Sequence, residues 1–287
     1  MMLEQYVRAF EGEEHRAFTL NGGSAAALLI HGFPGTPAEM RPVAEVLHAA
    51  GWTARGMLLP GFGADITTLA ERSHAEWRES TRAEYDRLRR EYDTVMVVGN
   101  SLGGALAIEL AATAPTPPDY LTLFAPFWKI DRLLWRMLPA IALLFPQPRV
   151  FRYLKLDFEQ QDVRDGIHNF MPDVDLDDPA VRQAILEYRV PVAMFRQIQR
   201  AGHAAYRQAP RLNMPVLTFQ GMQDELVRPD LTRRLLNRVR GAVELHEVNG
   251  EHNLLQTDQP AWTTIRAELA AFASTTNTAY SVIGTLD

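Results

Sequence analysis

An open, mainly parallel β-sheet covered by helices on both faces, and interrupted once by a mostly helical insertion, is the fold class this sequence predicts. Three observations carry the prediction. Short, wholly apolar runs such as residues 25–30 and 216–220 recur along the chain, and a strand buried on both faces reads as such a run rather than as an alternation. Amphipathic helical patterns stand between the runs, and strands that alternate with helices pair in parallel through crossover connections. The alternation fails once, between about residues 127 and 210, and then resumes.

Each element follows in order. Residues 7–10 and 17–20 read as short strands around the charged Glu11-Gly12-Glu13-Glu14, an antiparallel hairpin at a sheet edge. The run 25–30 is a buried strand that delivers His31-Gly32-Phe33-Pro34-Gly35 into a loop. Thr36-Pro37-Ala38-Glu39 has capping-box spacing with proline at the first helical position, and Met40, Val43, Ala44, Leu47 and Ala50 follow at helical spacing until Gly51. A strand at 53–59 closes on Pro60-Gly61-Phe62-Gly63. Ser73-His74-Ala75-Glu76 is a second capping box, behind which Trp77, Thr81, Tyr85, Leu88 and Tyr92 share one helical face opposite a charged, solvated one.

Residues 95–107 pass from a β-branched strand through glycine into a helix that ends near Pro115, and 120–126 is a further strand. Inside the irregular region, helical pieces are expected at 130–145, 151–158, 179–188 and 192–206. Then come a strand at 216–220, a helix at 230–240 ended by Gly241, a strand at 243–248, and a final helix with Trp262, Ile265, Leu269 and Phe272 on one face. The expected division is a core over 1–126, a cap over 127–210, the rest of the core over 211–274 and a polar tail over 275–287.

Composition narrows the function. The chain has 287 residues, 47% apolar and 22% charged, enough for one large core with an inserted subdomain. A net charge of −6 without any Lys/Arg run argues against a nucleic-acid surface. The absence of cysteine excludes a thiol nucleophile, a disulfide or a thiolate metal site. Residues 1–10 have no apolar signal region, so a cytoplasmic location is expected, and the longest apolar stretch, 133–145, is broken by Arg136 and Pro139 and too short to span a bilayer.

The chemistry starts at Gly99-Asn100-Ser101-Leu102-Gly103. A serine on a sharp strand-to-helix turn is held with a strained backbone, and the residues two before and two after it have no room for a Cβ. Such a turn exposes the hydroxyl above the sheet and aims the first helical amides at the same space. A serine hydroxyl still needs a base, and the base needs an acid to orient it. In a parallel sheet these partners lie just beyond the carboxyl ends of strands. His252 in Asn249-Gly250-Glu251-His252-Asn253 and Asp224 in Gly221-Met222-Gln223-Asp224-Glu225 both lie there, with Asp224 favoured by position over the adjacent Glu225. Phe33, after His31-Gly32, offers a backbone amide to an oxyanion alongside that of Leu102.

Together, His31-Gly32-Phe33-Pro34-Gly35-Thr36-Pro37, Gly61-Phe62-Gly63, Gly99-Asn100-Ser101-Leu102-Gly103-Gly104, Asp224 and His252 resemble the α/β-hydrolase superfamily, and within it the bacterial carboxylesterases and monoacylglycerol lipases. The resemblance spans nearly the whole chain. It implies an α/β-hydrolase fold with a cap, and ester hydrolysis without cofactor or metal through an acyl-enzyme on a Ser101, His252, Asp224 triad. Three departures stand out: Phe62 replaces the histidine of the family's Pro-Gly-His-Gly motif, Glu251 precedes the base where a small residue is usual, and the cap is long.

The apolar segment from Trp128 to Phe145 is expected either to pack the cap onto the sheet or to line an acyl pocket, with Trp128, Leu134 and Leu138 as lining residues. The latter role implies a medium-chain or longer acyl ester with a small alcohol part, and contact of the cap with lipid aggregates. A C–C bond hydrolase is the alternative, because the same elbow resembles that group. Those enzymes add a cap arginine and usually a Trp after the base, where this chain has Asn253. A non-catalytic binder of the same fold requires a broken triad, and all three members are present.

Overall fold

The computed structural model describes residues 10, 12–130, 135, 137, 140, 156–168, 174–187 and 192–283. Seven strands form one sheet: β1 (Phe18–Leu20), β2 (Ala25–Ile30), β3 (Trp52–Met57), β4 (Thr94–Asn100), β5 (Tyr120–Phe124), β6 (Val216–Gly221) and β7 (Val243–Val248). Their order is β1-β3-β2-β4-β5-β6-β7. β1 runs antiparallel to β3, and every other neighbouring pair is parallel. The helices described are α1 (Arg41–Ala49), α2 (His74–Glu91), α3 (Leu102–Thr113), α4 (Gln161–His168), α5 (Pro179–Glu187), α6 (Val192–Gln208), α7 (Pro229–Leu236) and α8 (Pro260–Ile283).

The apolar runs are buried on both faces, as read. β2 and β6 are buried along their whole length because helices cover each side of the sheet. One layer joins Val43, Ala44 and Leu47 of α1 to Ile265 and Leu269 of α8. The other holds Trp77 and Tyr85 of α2, most of α3, and Ile198, Ala201 and Ala205 of α6. Strand registers bring the carboxyl ends level: Ile30 lies opposite Gly99, Asn100 opposite Phe124, and Gly221 opposite Val248. The segments that begin at His31, Ser101, Met222 and Asn249 therefore leave the sheet at one edge.

Several expectations change. β1 pairs with β3 at the edge of the sheet, Phe10 sits in a turn at φ 66°, and the rest of the expected 7–10 strand lies outside the described residues. The 36–39 segment forms a 3-10 turn, Pro37–Met40, before α1, and its Glu39 does not close a capping box. By contrast, Ser73 and Glu76 make both halves of theirs. The helix expected at 230–240 stops at Leu236.

The expected tail is a correction too: α8 continues to Ile283, with Thr275 and Thr276 donating their hydroxyls to the carbonyls of Ala271 and Phe272, four residues back, and so remaining inside the helix. The irregular region also divides. Phe158, Val174, Leu176, Val181 and Ile185 make a small apolar cluster of their own, whereas α6 packs on α3 and α2 as part of the main core. Most of the expected 130–145 and 151–158 pieces lies outside the described residues. No helix among the described residues is long and apolar enough to cross a membrane.

Candidate active site

β4 ends at Asn100 and α3 begins at Leu102, so the whole turn between them is Ser101. Its φ is 48° and ψ −111°, a left-side conformation that a residue with a Cβ adopts only under constraint. The constraint is visible on both sides. Ser101 N–H donates to the Phe124 carbonyl of β5 at 2.9 Å, and its own carbonyl accepts from Phe127 N–H at 3.1 Å. A Cβ on Gly99 would collide with the backbone of Gly103 and Gly104. A Cβ on Gly103 would collide with the carbonyls of Ile30 and His31 instead, so the second glycine makes room for the end of β2 and not only for its partner in the motif.

His252 reaches this turn from the loop after β7. Its Nε2 is 3.0 Å from Ser101 Oγ, and its Nδ1 is 2.7 Å from Asp224 Oδ2. The second distance sets the roles. A carboxylate oxygen accepts, so the tautomer with its proton on Nδ1 donates to Asp224 and turns the Nε2 lone pair to the Ser101 hydroxyl. Asp224 is only 2% exposed and is itself held, its Oδ1 accepting from Leu226 N–H at 2.9 Å and Val227 N–H at 2.8 Å. Gln220 Nε2–H adds a longer bond of 3.3 Å to Oδ2, and Gln220 is fixed in turn by Thr232. Glu225 and Glu251 are exposed, so position and burial both single out Asp224.

The loop after β2 brings Phe33 towards the same turn. Its shape rests on His31, which is fully buried with Nε2 accepting from Leu59 N–H at 3.1 Å and Nδ1 against Gly32 O at 2.9 Å. Only the neutral ring with its proton on Nδ1 satisfies both bonds. Burial enforces that state, holding the imidazole pKa down to about 4. Phe62, the replacement for the family's histidine, is also buried and stands edge-on to both His31 and Phe33, so this position packs the loop. Leu102 is the first residue of α3, where an amide has no acceptor within the helix.

Ser101 and His252 line a cavity of about 890 Å³. Its lining falls into two chemical groups: Phe127, Ile130, Trp135, Phe195, Ile198 and Leu226 are apolar, while Glu39, Asn253, Gln256, Thr257 and Asp258 are polar or acidic. No lysine or arginine is among the described residues that line it. Trp128 is a correction. It is turned away and buried, stacked on Tyr206 at 4.2 Å between ring centroids, and its indole N–H donates to Leu231 O at 2.8 Å. Its neighbours Phe127 and Ile130 line the cavity instead; Leu134 and Leu138 lie outside the described residues.

Glu39 and Asn100 also belong to this site and were not singled out from sequence, because Glu39 matched a capping position so well. Away from the cavity, Glu244, His246 and Glu268 form one grouping with metal-ligand spacing among the described residues, but His246 is already paired with Glu244 at 2.7 Å.

A serine, histidine and aspartate gathered above the carboxyl edge of a doubly covered parallel sheet are the arrangement of an α/β hydrolase, and the relatives of this chain place it among those of the lipase and esterase type. Residues 23–259 match the model of the Hydrolase_4 family (serine aminopeptidase, S33), and the chain belongs to that family. It is 30% identical over 229 residues to the thermostable monoacylglycerol lipase of Bacillus sp. (strain H-257), covering 79% of this chain and 80% of the relative. Among solved structures, one described with the metagenome-derived lipolytic enzymes LipS and LipT superposes with a TM-score of 0.69 at 20% identity, covering 91% of this chain and 98% of the other. The monoacylglycerol lipase of Paleococcus ferrophilus gives 0.66 at 17% identity, covering 91% and 99%.

Proposed function

We propose that this protein hydrolyses carboxylic esters of medium to long acyl chain and a small alcohol, monoacylglycerol-like molecules among them, through an acyl-enzyme on Ser101. In this reading His252 takes the serine proton as Oγ attacks the ester carbonyl, and the tetrahedral oxyanion accepts hydrogen bonds from the Phe33 and Leu102 amides. Collapse expels the alcohol, which takes its proton from His252. Water, deprotonated by the same histidine, then attacks the acyl carbon and releases the acid and Ser101. Asp224 holds the imidazole in the required tautomer and stabilises the imidazolium.

The observation that carries this reading is the unbroken chain from Ser101 Oγ through His252 to the buried Asp224, opening on a cavity with a large apolar wall. The apolar lining suits an acyl chain; the polar lining suits a hydroxylated alcohol. The cap in this reading is the chain between β5 and α6. Contact of the cap with lipid aggregates belongs to the same reading; Met137 on the cap and Leu226 at the cavity are exposed apolar residues. The C–C hydrolase alternative calls for a basic group to hold a substrate carboxylate, and the described lining supplies acids instead.

The test is turnover of a chromogenic ester series from acetyl to palmitoyl, with wild type and Ser101→Ala side by side. Ser101-dependent turnover that rises beyond butyryl is expected. A preference for acetyl esters contradicts the acyl assignment. Ser101→Ala activity within tenfold of wild type contradicts the mechanism, since loss of the nucleophile is expected to lower kcat by roughly 10⁴-fold or more.

A further inference from the structure

One carboxylate of the cavity is turned to the backbone of the site rather than to its own helix. Glu39 Oε1 accepts from Gly32 N–H at 2.5 Å and from Asn100 Nδ2–H at 2.9 Å. Gly32 is the residue before Phe33, and Asn100 is the residue before Ser101. A single oxygen therefore ties the loop that carries one oxyanion amide to the turn that carries the other. Two further features fit this use. Gly35 has no Cβ, and the Glu39 carboxyl group occupies the space that one there would fill. Thr36, the expected partner in a capping box, is engaged elsewhere: its hydroxyl accepts from Ala38 N–H at 3.3 Å and lies 2.8 Å from His15 Nδ1.

We propose that Glu39 is a positioning residue that sets the spacing of the two oxyanion donors, Phe33 N–H and Leu102 N–H, by clamping Gly32 to Asn100. The proposal rests on the serine-hydrolase reading above. Its energetic logic is preorganisation: amides held where the oxyanion will form need no rearrangement at the moment of reaction, and a slack pair stabilises the charge less. Charge is not what the clamp requires. Burial raises the Glu39 pKa against the pull of both hydrogen bonds and of the nearby His252. A neutral side chain of the same shape, with an acceptor oxygen at Oε1, serves the same geometry.

The test compares wild type, Glu39→Ala, Glu39→Gln and Ser101→Ala on one ester. It also measures inhibition by an alkyl trifluoromethyl ketone, whose serine adduct carries an oxyanion. Circular dichroism and thermal melts select the folded variants. Glu39→Ala is expected to lower kcat about 10- to 100-fold with KM within about threefold, and to weaken the ketone by the same factor as kcat/KM. Glu39→Gln is expected to return kcat to within about fivefold of wild type and to bind the ketone accordingly. Should Glu39→Ala prove unstable, the Gln variant and Asn100→Ala, which removes the other end of the clamp, carry the same comparison. The proposal is overturned by a folded Glu39→Ala with wild-type kcat, by a kcat loss without weaker ketone binding, or by a folded Gln variant as slow as Ala. An active Ser101→Ala would overturn the underlying serine mechanism, a result separate from all of these.

Discussion

Ser101 and His31 show how much of this site is decided by single residues in unfavourable states. Ser101 is held at φ 48°, which costs on the order of 1–3 kcal/mol and is sustained by its hydrogen bonds to Phe124 and Phe127. His31 has to stay neutral to serve Leu59 and Gly32, and this makes stability depend on pH. Its pKa falls from 6.5 to about 4 on folding, so the native state binds fewer protons than the unfolded chain between those values. The contribution is complete above pH 6.5 and is lost as pH falls towards 4; at pH 4.5 the loss from this group is on the order of 2–3 kcal/mol. Urea unfolding of wild type and His31→Asn at pH 7.5 and 4.5 checks this. Wild type is expected to lose that much more stability than the variant on acidification, and equal losses would contradict the account.

At the scale of elements, the elbow is a packing problem solved by two glycines with different neighbours. Gly99 yields to the first turn of α3, and Gly103 yields to the end of β2, which packs the Ser101 turn against the start of the loop that carries Phe33. Gly103→Val is therefore expected to give no folded, active enzyme, because both obstructing atoms are backbone carbonyls of a fully buried strand and its exit. An expression and activity assay decides it, and a fully active variant would contradict the steric argument. The helix α6 makes a related point about legibility. Its sequence looked like part of the insertion because it follows the irregular stretch directly, with no strand before it. Tertiary packing on α3 makes it core. Glu39 was hidden for a comparable reason: a Thr-Pro-Ala-Glu spacing is locally consistent with a capping box, and only the return of β4 beside β2 brings Asn100 close enough to claim its carboxylate.

For the molecule as a whole, the parallel sheet does most of the positioning. Four chain segments leave aligned strands at one edge, and Ser101, Asp224, His252 and Phe33 come from those segments. That much was legible because burial on both faces writes strands as unbroken apolar runs: β2 begins and ends where the sequence places it, and β6 begins there and runs one residue further. Side-chain direction was not legible. Trp128 and Phe127 are neighbours with similar chemistry, yet the first stacks on Tyr206 in the core and the second faces the cavity. Nor was the helical continuation of the Thr-rich segment after Ser274, whose hydroxyls bond back to their own helix. The central claim is that Ser101 is the nucleophile that carries the acyl group, and covalent capture tests it most directly. Wild type and Ser101→Ala are incubated with a long-chain alkyl fluorophosphonate, followed by intact mass and peptide mapping. The account predicts one adduct per chain, on the peptide containing Ser101, and none on the variant. An adduct on another serine, or an unlabelled protein that still turns over esters, would contradict it.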